Sequence, residues 1–148
     1  MKERLAQDLK TAMLARDSFL TDTLKGLKAA ILNQEIANNK REMGLDDAEI
    51  ENLFAKEAKK RLEAAELYEK GGNQVAADKE RREYEVIQEY LPEQLNEEEV
   101  TQLVEEAIAL THAATIQDMG KVIGVVKTKA GNSADGALVA KLVKAKLQ

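Results

Sequence analysis

Leu67-Tyr68-Glu69-Lys70-Gly71-Gly72-Asn73-Gln74-Val75-Ala76 is the stretch that decides the fold. A helical pattern runs into it, another runs out, and two glycines and an asparagine stand between. Glycine accepts the left-handed conformation that closes a helix, and asparagine is a good N-cap for the next. The stretch therefore reads as the turn of an antiparallel helical hairpin. Upstream, Asp46 with Glu49 three residues on has the form of a capping box. That sets a helix over 47–70 with Ile50, Leu53, Phe54, Leu62 and Tyr68 inward. Downstream, a helix opened by Asn73 turns Val75, Val86, Ile87, Tyr90 and Leu91 inward. The middle of the hairpin, 63–66 and 78–83, is poor in large apolar groups, which predicts a charged, projecting arm.

Before the hairpin, Leu5, Leu9 and Met13 recur every four residues and predict a helix over 2–16. Asp17-Ser18 can cap a second helix, in which Leu20, Leu24, Leu27 and Ile31 form the buried stripe. After the hairpin, Pro92 interrupts the pattern and marks a domain boundary. Asn96 with Glu99 opens a fifth helix by a second capping box, and Val100, Leu103, Val104 and Ala107 face inward. Thr115 with Asp118 can cap a short sixth helix carrying Met119, Val122, Ile123 and Val126. Asp135 caps a seventh, in which Leu138, Val139, Leu142, Val143 and Leu147 alternate with lysines. The expected fold is all-α: an N-terminal long-helix hairpin module over 1–92 and a small three-helix module over 93–148.

Composition agrees. The 148 residues are 44% hydrophobic, 33% charged and only 3% aromatic, with one proline. Alanine, leucine, glutamate and lysine lose little rotamer freedom in a helix. The absence of cysteine excludes disulfides and thiolate chemistry. Met1-Lys2-Glu3-Arg4-Leu5 is too charged for an apolar leader, and no segment approaches the roughly 20 apolar residues of a membrane span. A cytoplasmic protein that does not engage a membrane is expected.

Net charge is −5, an argument against a general nucleic-acid binder. The distribution is uneven, however. Residues 93–116 hold glutamates and no lysine or arginine, whereas Lys121, Lys127, Lys129, Lys141, Lys144 and Lys146 follow with only Asp118 and Asp135 among them. Six lysines around a glycine-containing loop are what a phosphate-backbone footprint looks like. No aromatic residue follows Tyr90, so stacking of single-stranded bases is disfavoured. Structured RNA fits better, and no DNA is expected. Gly120 and Gly124 share one side of the sixth helix, where each costs about 0.5–1 kcal/mol relative to alanine. Two uses would explain them: close packing of another helix, which is favoured, or close approach of a large ligand to the backbone.

Catalytic signals are absent. Gly120-Lys121-Val122-Ile123-Gly124 lacks the spacing and the preceding strand of a P-loop. His112 is a single histidine past the end of a helix, and the acidic pairs sit where caps and helix dipoles want them. No catalytic residue, metal site or cofactor is expected.

Glu89-Tyr90-Leu91-Pro92-Glu93-Gln94-Leu95, then Asp118-Met119-Gly120-Lys121-Val122-Ile123-Gly124, then Ala134-Asp135-Gly136 with Leu138-Val139-Ala140-Lys141-Leu142-Val143, resemble the GatB/YqeY family over the whole chain. The form resembled is the free-standing YqeY-like protein. The resemblance implies a helical N-terminal module and a tail similar to the C-terminal part of the B subunit of tRNA-dependent amidotransferases. Those carbon-nitrogen ligases convert misacylated Glu-tRNA(Gln) or Asp-tRNA(Asn) with glutamine as amide donor. In them the tail is implicated in gripping tRNA and holds none of the amidotransferase chemistry. The matching positions are Gly120, Lys121, Gly124, Lys127, Lys129, Asp135 and Lys141, to which the charge pattern adds Lys144. Relatives often carry a further basic residue where Asn132-Ser133 stand, so a contact or two is missing. The resemblance implies a non-catalytic accessory protein whose partner is tRNA or an aminoacyl-tRNA enzyme. The alternative is a protein-interaction module that docks through the arm at 47–91 and the tail.

Overall fold

The computed structural model describes residues 1–148. The chain is all-α: α1 (Lys2–Leu14), α2 (Ser18–Ala37), α3 (Asp47–Lys70), α4 (Gln74–Gln88), α5 (Glu97–Thr111), α6 (Met119–Ala130) and α7 (Gly136–Leu147). Short 3₁₀ turns at Ile116–Asp118 and Gly131–Ser133 precede and follow α6. No strand is present. The helices gather into two compact units, Met1–Leu91 and Pro92–Gln148.

Local chemistry sets the helix starts. Asp17 accepts from the Leu20 N–H at 3.0 Å, and Asn73 from the Ala76 N–H at 3.1 Å. Asp46 and Glu49 complete a reciprocal capping box, as do Asn96 and Glu99. Each cap satisfies backbone donors that a helix end leaves without partners. The turn between α3 and α4 closes through Gly72, at φ +79°, while Gly71 stays right-handed at φ −81°.

The first unit is built on Leu5, Leu24, Leu27, Ile31, Ile50, Phe54, Ile87 and Tyr90. Phe54 meets Tyr90 edge-on, with ring centroids 5.7 Å apart, and the Arg4 guanidinium lies 4.4 Å over the Tyr90 ring. The Tyr90 hydroxyl donates to Asp8. Burial, together with that carboxylate, pushes the phenol above its ordinary range. Beyond Ala58 the hairpin relies on itself. Ala65 and Ala77 are buried but lie outside the main apolar cluster, as expected where two helices approach through small side chains. Arg61 forms ion pairs with Glu83 at 2.9 Å and Glu57 at 3.5 Å, and Arg81 with Glu69 at 2.7 Å.

Glu35 is the one buried carboxylate, 6% exposed. The Lys2 ammonium and the Leu45 N–H bind it and hold its carboxyl below the usual range. Glu49, bound by Lys40 and by its own capping contact to the Asp46 N–H, is lowered likewise.

Three expected inward residues face solvent. Val75 is 82% exposed in the first turn of α4, at the far end of the hairpin, where no third helix covers it. Tyr68 is exposed at the same end. On α1, Ala12 takes the buried position and Met13 points outward, because the stripe steps three residues there instead of four.

The second unit packs α5, α6 and α7 pairwise around Val100, Val104, Ala107, Val122, Val126, Val139 and Val143. Its leading segment is tied to the loop before α7: the Leu95 N–H donates to the Ser133 carbonyl at 2.8 Å, and the Gln94 side chain to the Asn132 carbonyl at 2.7 Å. No helix of the chain is long and apolar enough to cross a membrane.

Candidate nucleic-acid interface

Val122 and Val126 fix how α6 lies, since both are wholly buried. With 3.6 residues per turn, the opposite arc, about 120° wide, holds Gly120, Lys121, Gly124, Lys127 and Thr128, all exposed. A Cβ built at Gly120 or Gly124 meets nothing within 4 Å. The favoured expectation, that these glycines admit a neighbouring helix, is corrected: they face open solvent. What they create is a shallow strip of bare backbone flanked by Lys121 and Lys127.

On α7, Val139 and Val143 are the buried pair, and Lys141 and Lys144 lie with Ala137 on the outer arc. Asp135 is not on either outer arc. Its carboxylate accepts from the Ala137 N–H at 3.2 Å, which makes it the cap of α7. Asp118 instead braces the 3₁₀ turn before α6, accepting from the Ala114 and Thr115 N–H groups at 3.0 and 3.1 Å. Those two bonds hold its carboxyl below the usual range.

The six lysines are not equivalent. Lys146 lies 2.5 Å from Glu105, and Lys129 3.5 Å from Glu106, so the expectation of six cations with little acid near them holds for only part of the set. Lys121 makes a loose contact with Asp118 at 3.8 Å. Lys127, Lys141 and Lys144 form no ion pair. Sequence reasoning missed the role of Glu105 and Glu106, because which helix lies beside α5 is a tertiary fact.

The ion pairs orient the unit. On α6, Lys127 stands about 160° around the axis from Lys129, and on α7 Lys144 stands about 160° from Lys146. The glutamate-bound lysines mark the flanks facing α5. The unbound Lys127, Lys141 and Lys144 lie on the outer arcs, turned away from α5. The unit carries eight acidic groups against six lysines, yet five of the acids are glutamates along α5 and the unpaired ammonium groups lie on α6 and α7, where Asp118 and Asp135 stand only at the helix starts.

His112 takes the left-handed conformation, φ 54° and ψ 33°, and closes α5 with its N–H bonded to the Ile108 carbonyl. No three His, Asp or Glu side chains converge as a metal site. A depression of about 560 Å³ follows Glu97, Glu98, Thr101, Gln102 and Glu105 along a single helix face. In the first unit a groove of about 330 Å³ runs between α1, α2 and α4 past Arg4, Asp8 and Tyr90, whose polar groups already bond one another.

Altered inheritance of mitochondria protein 41, mitochondrial, of Eremothecium gossypii is 36% identical over 87 residues, 59% of this chain and 46% of the relative. The protein of the same name from Lachancea thermotolerans is 32% identical over the same shares. That of Kluyveromyces lactis is 27% identical over 128 residues, 84% of this chain and 68% of the relative. The chain thus spans about half the length of the first two. A family model described as Yqey-like protein matches residues 2–147, and the chain belongs to that family.

Proposed function

We propose that this protein is a non-catalytic accessory factor that binds tRNA, or docks beside it on an aminoacyl-tRNA enzyme, through the outer face of α6 and α7. The observation that carries the reading is the pairing of open helix backbone at Gly120 and Gly124 with unneutralised Lys127, Lys141 and Lys144. Bare backbone lets a bulky polyanion approach closely, and mobile ammonium groups neutralise its phosphates. The lack of aromatic residues after Tyr90 favours folded RNA, gripped by shape and backbone, over splayed single strands. In this reading the N-terminal hairpin module is an arm and the three-helix module is the grip. Any link to glutamine-dependent amidotransfer belongs to a larger assembly. The working location is the cytoplasm, although the relatives are named as mitochondrial.

A titration of unfractionated tRNA tests this. Lys121→Glu with Lys127→Glu is expected to weaken binding at least tenfold while the far-ultraviolet circular dichroism stays unchanged. Undiminished binding by that double variant rejects the site. A purely protein-docking role for the arm predicts no tRNA complex at any salt concentration.

A further inference from the structure

We infer that Glu105 and Glu106 set the edges of the polyanion-binding surface, keeping Lys129 and Lys146 out of it so that RNA meets one face of the unit. The inference rests on the RNA reading above. Each of these glutamates sits beside a lysine from a different helix, Glu106 on the α6 side of α5 and Glu105 on the α7 side. A phosphate arriving at Lys129 or Lys146 must displace a carboxylate and then remain near it, and like charges a few ångströms apart repel. At Lys127, Lys141 and Lys144 no carboxylate competes. Glu97 and Glu98 extend the same acidic helix but bind no lysine, so they add charge without holding a cation.

The footprint therefore comprises Lys127, Lys141 and Lys144, joined by Lys121, whose contact with Asp118 at 3.8 Å is loose and whose partner carboxylate is already held by the Ala114 and Thr115 N–H groups. Each phosphate neutralised contributes roughly 0.7–0.9 to the slope of log affinity against log salt, which gives about −3 to −4 for four contacts. Freeing Lys129 and Lys146 would steepen the slope by about 1.4 to 1.8.

The experiment titrates unfractionated tRNA against the full chain over a salt series, using three proteins. Glu105→Gln with Glu106→Gln releases the two lysines. Glu97→Gln with Glu98→Gln makes the same charge change on the same helix and releases none. The expected result is a slope steepened by about 1.4 to 1.8 in the first variant and unchanged in the second. Equal slopes in all three proteins, or equal steepening in both variants, overturn the inference while the unsubstituted protein still binds. Lys129→Gln with Lys146→Gln, a change confined to exposed side chains, is expected to keep the unsubstituted slope, and a slope flattened by that change overturns the inference as well. Failure of the unsubstituted protein to bind tRNA removes the RNA reading instead.

Discussion

Replacing Gly120 and Gly124 by alanine is expected to stabilise the C-terminal unit and to weaken its hold on RNA at the same time. Both glycines lie within α6, and apart from their chain neighbours and the helix's own backbone nothing lies within 4 Å of an added Cβ. The methyl groups therefore meet no steric penalty in the free protein, and the gain is that of alanine over glycine in a helix interior. That is about 0.5–1 kcal/mol per site, or roughly 1–2 kcal/mol for the pair. In a unit of this size each kcal/mol moves the midpoint by about 4–8 °C, so thermal unfolding followed by circular dichroism should shift upward by at least about 4 °C. In the complex the same methyl groups stand where the polyanion approaches. A loss of about 1.4 kcal/mol there is a tenfold loss of affinity. Gly26, open in the same way within α2, supplies the control: Gly26→Ala should stabilise its unit and leave tRNA binding alone. A lowered midpoint for the α6 pair would mean that the space is occupied. Undiminished binding would mean that RNA does not approach along the glycine strip.

Other perturbations follow from the same contacts. Phe54 is wholly buried against Tyr90, so Phe54→Ala should cost the first unit about 3–5 kcal/mol in urea unfolding; a loss under about 1 kcal/mol would refute the packing described. His112→Gly removes a non-glycine residue from φ 54° and should raise the stability of the second unit by about 1 kcal/mol, whereas a drop would show that the imidazole holds something. Glu35, Glu49 and Asp118 titrate below their ordinary values of 4.5, 4.5 and 3.8. Carboxyl groups lowered by folding give stability that is complete above those values and is lost as pH falls through the lower folded ones. The urea midpoint should therefore decline below about pH 4.5, and a midpoint that rises there contradicts the assignment.

What the sequence revealed and what it hid divide along a physical line. Caps are local: Asp46 with Glu49, Asn96 with Glu99 and Asn73 each act within three residues, so the starts of α3, α4 and α5 were legible. Apolar periodicity located the helices but could not say where neighbours end, which is why Val75 and Tyr68 looked buried at the tip of a hairpin that nothing covers. The candidate face was half legible. Gly120 and Gly124 stood out as an unusual pair, but whether a helix or water lay over them depended on how α6 packs. Lysine clustering was visible as well, yet the diversion of Lys129 and Lys146 to α5 required the third dimension.

The salt dependence of tRNA binding by the unsubstituted chain tests the central claim most directly. Affinity measured between about 50 and 200 mM salt should fall along a straight log–log line with a slope of about −3 to −4, one contact for each of Lys121, Lys127, Lys141 and Lys144. An affinity indifferent to salt, or no complex at the lowest concentration, would contradict it.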